Sequence, residues 1–214
     1  MRAGAAIAPV LMRIDPPMPG PLVLRRGEQI ALVDEEGAAA SQLLALLCGD
    51  ARPAQGEVRL LDRALGAWSL EALSRRRAML GGRETPLPGL DVQGCVALGR
   101  VARRPDPARQ DIAREALRAV DALDLAGRLC SRLEPGCWLR VRIARWMAQL
   151  WDTTHGVMLL DLPPPQRDSD ALPWAAISGF ARERGHALVV SVSPDCAFCW
   201  MADRLWPPSQ AAAA

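Results

Sequence analysis

The chain has 214 residues, 26 basic against 24 acidic side chains and 50% hydrophobic content, the size and balance of a single domain that buries its own core without disulfide staples. Every basic residue other than histidine is an arginine, and lysine, tyrosine and asparagine are absent, which excludes Schiff-base chemistry, Ser-Lys dyads and any lysine reaching nucleotide phosphates. A net charge of +2 with dispersed arginines gives no basic stripe for nucleic acid, which is not expected as a partner.

The N-terminal stretch Ala3 to Met12 is apolar, but Pro9 and Arg13 cut it short, which argues against a signal peptide. No apolar run approaches the roughly 18 residues that span a bilayer, so the chain is not expected to cross a membrane. Gln29 to Val33 reads as a buried strand. Ala38 to Cys48 follows as a helix with a wide leucine face, closed by Gly49. Gly56 to Leu61 alternates like a half-buried strand, Ser69 caps a short helix, and Ala78 to Leu80 is a brief apolar step. The run Arg75 to Arg77 falls at the end of that short helix, where cations interact favourably with the dipole.

After the loop Gly81 to Gly89, Asp91 is placed to cap a helix from Val92 to Leu98, and an amphipathic helix is predicted from about Ala108 to Leu123. Pro135 opens a helix to Trp151 with an apolar stripe of Leu139, Ile143, Trp146 and Leu150. Val157 to Leu160 and Ala187 to Val192 read as continuous apolar strands either side of a helix from about 171 to 184. Apolar strands separated by helices predict a mainly parallel sheet covered on both faces, an α/β fold.

Such a sheet places its chemistry at the C-terminal ends of its strands, after Val33 and Leu160. The stretch ALVDEEGAAASQLL (Ala31 to Leu44) resembles the Walker A strand, loop and helix of ATP-binding cassette (ABC) proteins, and VMLLDLPPP (Val157 to Pro165) their Walker B strand. The resemblance is collinear from about Leu24 to Leu205 and strongest to the ATPase subunits of haemin, iron-siderophore and vitamin B12 importers. The segments GEVRLLDRALGAWSLEALSRRRAML, DVQGCVALGR, LRVRIARWMAQLW and ADRL carry it. It implies a P-loop NTPase-like ABC ATPase fold over 1–214, with a helical signature subdomain inserted at about 82–150 and abbreviated ends.

Against the family pattern G-x-x-G-x-G-K-[ST]-T this chain has Asp34, Glu35, Glu36, Gly37, Ala38, Ala39, Ala40, Ser41 and Gln42. Two glycines have become Asp34 and Ala39, and Ala40 holds the lysine position. At about 5 Å and an effective dielectric of about 20, one carboxylate opposes one phosphate charge by roughly 3 kcal/mol, whereas ATP binding at roughly 10 μM is worth only about 7 kcal/mol. Ser41 and the amides at the helix N-terminus are left to meet an anion. Gly82 stands for the family's glutamine, Leu162 for its catalytic glutamate and Ser193 for its switch histidine. The signature loop reads Leu133, Glu134, Pro135, Gly136 and Cys137.

Asp161 matches the Walker B aspartate and Asp168 the D-loop aspartate; alternatively Asp161 ends a strand and Asp168 or Asp170 caps the next helix. The expectation is no catalytic residues, no metal site and no cofactor, with Gly37, Ser41, Gln42 and Asp161 as a vestigial nucleotide contact set. Mg-ATP is the cofactor only if a weakly active transport ATPase, using an arginine in place of the lysine, is the right reading; a stand-alone interaction module is another. The resemblance implies a membrane permease, an intact ABC ATPase subunit or a second copy as partner. It places the chain in the cytoplasm, on the inner face of the membrane, with the permease docking near Gly82 to Arg100.

Cys196 and Cys199 have C-x-x-C spacing but no second pair, so they are expected to lie one turn apart on a helix as buried thiols. His155 and His186 are solitary. Cys137 and Trp138 are expected to be the more exposed part of their helix, at the interface if an ABC-like dimer forms.

Overall fold

The computed structural model describes residues 8–14, 22–82, 84–86, 88–163 and 172–207. Asp168 and Asp170 lie outside them. Among the described residues, two sheets divide the strands. The first is parallel, with strand order β6 (Arg77–Gly81), β7 (Val157–Asp161), β8 (Ala187–Val192), β3 (Gln29–Val33) and β9 (Arg204–Trp206). Its three central strands, β7, β8 and β3, are buried along almost their whole length, as their unbroken apolar runs predict. The second sheet is antiparallel, in the order β2 (Leu22–Arg25), β1 (Val10–Ile14), β4 (Val58–Leu60) and β5 (Arg63–Ala64).

Helix α1 (Ala38–Cys48) follows β3 and buries Ala40, Leu43, Leu44, Leu47 and Cys48 in one core with β1, β2 and β4. Gly49 ends it at φ 83°, its N–H reaching back to the carbonyls of Ala45 and Leu46. Ser69 caps α2 (Leu70–Ser74) by accepting from the Ala72 amide at 3.2 Å.

A second core gathers under the helices α3 (Val92–Ala97), α4 (Arg109–Ala119) and α5 (Pro135–Gln149), which pack against one another, and extends to α6 (Trp174–Arg184). Asp91 Oδ1 accepts from the Gly94 amide at 2.6 Å and starts α3. Leu139, Ile143 and Trp146 of α5 are buried as the predicted stripe requires, and so is Leu150, which follows the last helical residue. Helix α4 stops at Ala119, earlier than predicted, where the chain turns through Asp121 at φ 54°.

Two expectations require correction. Trp138 is buried, because its indole turns inward and donates to the Glu84 carbonyl at 2.7 Å; Cys137 beside it is half-buried. Cys196 and Cys199 do not share an α-helix: Cys196 precedes a 3-10 turn, Ala197–Trp200. Only Cys196 is buried; Cys199 is half-buried, with its thiol 3.6 Å from the Ser193 carbonyl. Neither is part of a disulfide.

Candidate functional site

The C-terminal edge of the parallel sheet carries a cleft of about 300 Å³ lined by Glu36, Gly37, Ala38, Ser41, Gly82, Asp161, Leu162 and Pro163. Three of the four residues expected to form a nucleotide contact set, Gly37, Ser41 and Asp161, meet here. Gln42 does not: it sits one position further along α1 and is exposed. Gly37 takes φ 81° immediately before α1, a left-handed conformation that glycine adopts without strain.

The N-terminus of α1 is closed by the chain's own acid. Asp34 Oδ2 accepts from the amides of Ala39 at 2.9 Å and Ala40 at 3.0 Å, while Oδ1 accepts from the Glu36 amide at 3.2 Å. These bonds, the one from Ala40 foremost, hold the Asp34 carboxyl below the usual carboxylate range despite some desolvation. A helix N-terminus offers unsatisfied N–H groups and a partial positive charge to an anion. Here Asp34 takes two of those N–H groups, those of Ala39 and Ala40. Sequence reasoning counted it only as a repulsive charge, because it precedes α1 by several residues and so falls outside every N-cap position.

Across the cleft, Asp161 ends β7 in register with Gly81, and its carbonyl accepts from the Gly82 amide at 3.2 Å. Leu162, which the resemblance sets against the family's catalytic glutamate, is 2% exposed and belongs to the helical-side core; a methyl-bearing side chain can neither accept a proton nor orient water. Ser193 follows β8 beside Asp34, whose amide donates to the Val192 carbonyl at 3.1 Å. Glu134 stands at the N-cap of α5 with Pro135 as its first residue, and the Glu134 side chain makes no capping hydrogen bond.

The resemblance implies a magnesium nucleotide for this cleft, and the described lining sets two acids and no basic side chain against it. Two amides at the helix N-terminus are already bonded to a carboxylate, Ala40 provides no cation, and Glu36 adds a further acid to the lining. Among the described residues no group of three or more His, Cys, Asp or Glu side chains is placed to hold a metal ion. No helix among them is long and apolar enough to cross a membrane.

Sequence reasoning also missed a cluster next to the cleft. Glu84, on the loop after β6, pairs with Arg142 and Arg145 of α5. Against a burial that would raise it, the two guanidinium groups, Arg145 above all, hold the Glu84 carboxyl below its ordinary value. No local motif announces this contact, since its partners are about 60 residues apart in sequence.

The ABC transporter family model matches residues 21–163. The hemin import ATP-binding protein HmuV of Methylobacillus flagellatus is 33% identical over 181 residues, covering 81% of this chain and 66% of the relative. HmuV of Pseudomonas aeruginosa is 37% identical over 173 residues, covering 79% and 68%. The chain thus spans about two thirds of the length of these relatives. Among solved structures, cbiO1 of Clostridium perfringens, part of the ABC transporter complex cbiONQ, superposes with a TM-score of 0.70 at 16% identity, covering 92% of this chain and 83% of that one. A metal-chelate type ABC transporter in an inward-facing conformation gives 0.64 at 19% identity, covering 85% and 73%. With the expected fold in place, the chain belongs to the ABC transporter family, as a relative of its hemin-import ATP-binding subunits.

Proposed function

We propose that this protein is a non-hydrolysing member of a haemin or iron-siderophore type import system, a structural or regulatory partner of a membrane permease or of an intact ABC ATPase subunit at the cytoplasmic face of the membrane. The observation that carries this reading is the Asp34 carboxylate on the amides of Ala39 and Ala40. Each charge-assisted hydrogen bond of this kind contributes about 1.5–3 kcal/mol where it is buried and less in this half-exposed loop. A phosphate must therefore displace an acceptor already tethered to the site, without a lysine to reward it. Leu162 in place of a catalytic carboxylate supports the same reading for the chemical step.

The segment from Gly82 to Arg100, which the family resemblance associates with permease docking, keeps its helix and its buried positions Val92, Cys95, Val96 and Ala97. A partner-binding role therefore does not require nucleotide chemistry in this chain. Two measurements test the proposal: phosphate release by the purified protein at millimolar Mg-ATP, expected to be zero, and co-purification with a permease or ATPase subunit encoded beside it, expected to succeed. Turnover, or association with neither, overturns it.

A second reading, a weakly active ATPase, draws on Ser41 and Asp161 sharing one cleft. It predicts phosphate release that is lost in Asp161→Asn.

A further inference from the structure

Three side chains from one face of α5 converge on the short segment that leaves β6. Trp138, Arg142 and Arg145 are spaced four and three residues apart, the spacing that stacks side chains on a helix surface. Arg142 is 2% exposed, and its Nη2 donates to the Gly81 carbonyl at 3.0 Å and to the Gly82 carbonyl at 2.8 Å. Its Nε lies 3.4 Å from Glu84 Oε2. Arg145 hydrogen-bonds to the same carboxylate, and Trp138 Nε1 donates to the Glu84 carbonyl at 2.7 Å. The outer end of the segment is held to the sheet by the Gly82 amide on the Asp161 carbonyl at 3.2 Å.

The bonds from Arg142, Arg145 and Trp138 join the helical layer to the strand-end loop rather than stabilising either alone. Arg142 is buried, so removing Glu84 leaves its guanidinium without its carboxylate partner and costs more than losing an exposed pair. Gly82 also lines the cleft beside Gly37, so the fastening fixes one wall of that cleft.

We infer that Arg142, Arg145 and Trp138 form a clamp that fixes Gly81, Gly82 and Glu84 to α5 and holds the helical layer in one orientation against the parallel sheet. The subunit then offers a partner a platform of constant geometry. The usefulness of that platform rests on the proposed non-hydrolysing role, but the clamp itself is tested without nucleotide, so the two fail separately.

The experiment is amide hydrogen exchange by mass spectrometry on the full chain and on Arg142→Met, which keeps the aliphatic stem, and Glu84→Gln, which keeps the shape. Peptides covering 79–86 are expected to exchange about tenfold faster in Arg142→Met and about threefold faster in Glu84→Gln, with peptides of α1 and β8 unchanged. Exchange of 79–86 within twofold of the parent in Glu84→Gln overturns the clamp, and this variant decides the matter if Arg142→Met fails to fold. In a background with Cys137 and Cys199 replaced by serine, spin labels at Gln42→Cys and Arg118→Cys are expected to give one narrow distance distribution that broadens on adding Glu84→Gln. A broad distribution before that substitution is equally fatal.

Discussion

The loop that opens α1 and the helical layer of α3 to α5 both lie within the stretch that matches the family model, yet they are built differently. In the loop, glycine and lysine positions have become Asp34, Ala39 and Ala40, and the helix end is capped from within. In the helical layer the packing is kept to the ångström: a Cβ added at Gly99 would lie 2.3 Å from the Arg145 carbonyl oxygen. Packing tolerates no such addition, whereas a loop that faces solvent accepts new side chains once its amides have another acceptor. The two regions thus differ in what they can accommodate: the helical layer has no room for a single added methyl at Gly99, and the loop carries acidic side chains at its tip.

The largest effect that can break this comparison is expected in the helical layer. Gly99→Ala forces apart the 3-10 turn Leu98–Arg100 and α5 and is expected to destabilise the protein by about 3 kcal/mol, as overpacking does, read as a lowered midpoint in urea. A tolerated alanine would show that the layer is looser than its contacts imply.

The next effect depends on pH. His186 is fully buried, accepts from the Gly156 amide through Nδ1 at 2.9 Å, and has its pKa pushed down to about 4, by burial first and by Arg184 second. Its folded-state value lies below the unfolded value of about 6.5, so the unfolded chain binds the extra proton first. Stability is complete above about pH 6.5 and falls as the pH drops towards 4, by about 3 kcal/mol in all. Denaturant melts of the protein and of His186→Gln across this range should show that slope in the parent and its loss in the variant.

Smaller again is the capping term. Asp34→Ala removes the acceptor from two helix amides and is expected to cost about 1 kcal/mol, measured as a shift in the thermal midpoint. Because the Asp34 carboxyl is held low in the fold, its contribution is present at neutral pH and fades only as the pH falls through that lowered value. Glu36→Gln, which alters only an exposed side chain on the cleft and keeps the backbone amide that donates to Asp34, is expected to leave the midpoint unchanged.

Much of the parallel sheet was legible because full burial writes itself as uninterrupted apolar runs: β3, β8 and α1 begin and end where the pattern does. Strand β1 was not, because Arg13 interrupts its apolar residues and Pro9 precedes it. Its pairing with β2 and β4 supplies the long-range term that local pattern lacks. The short edge strand β9 carries too few residues for any period to show. At the site, the missing lysine and the three acids were plain in the sequence, while the bonds Asp34 makes depend on how the loop folds back on α1. The Glu84 cluster depends on tertiary contact alone.

The most direct measurement follows the backbone amides of Ala39 and Ala40 by nuclear magnetic resonance while Mg-ATP is added to millimolar concentration. If Asp34 fills the anion site, both amides stay in place in the parent protein and respond only when the pH is lowered far enough to protonate that carboxyl. Movement of both with Mg-ATP at micromolar concentration, at neutral pH, would contradict the account.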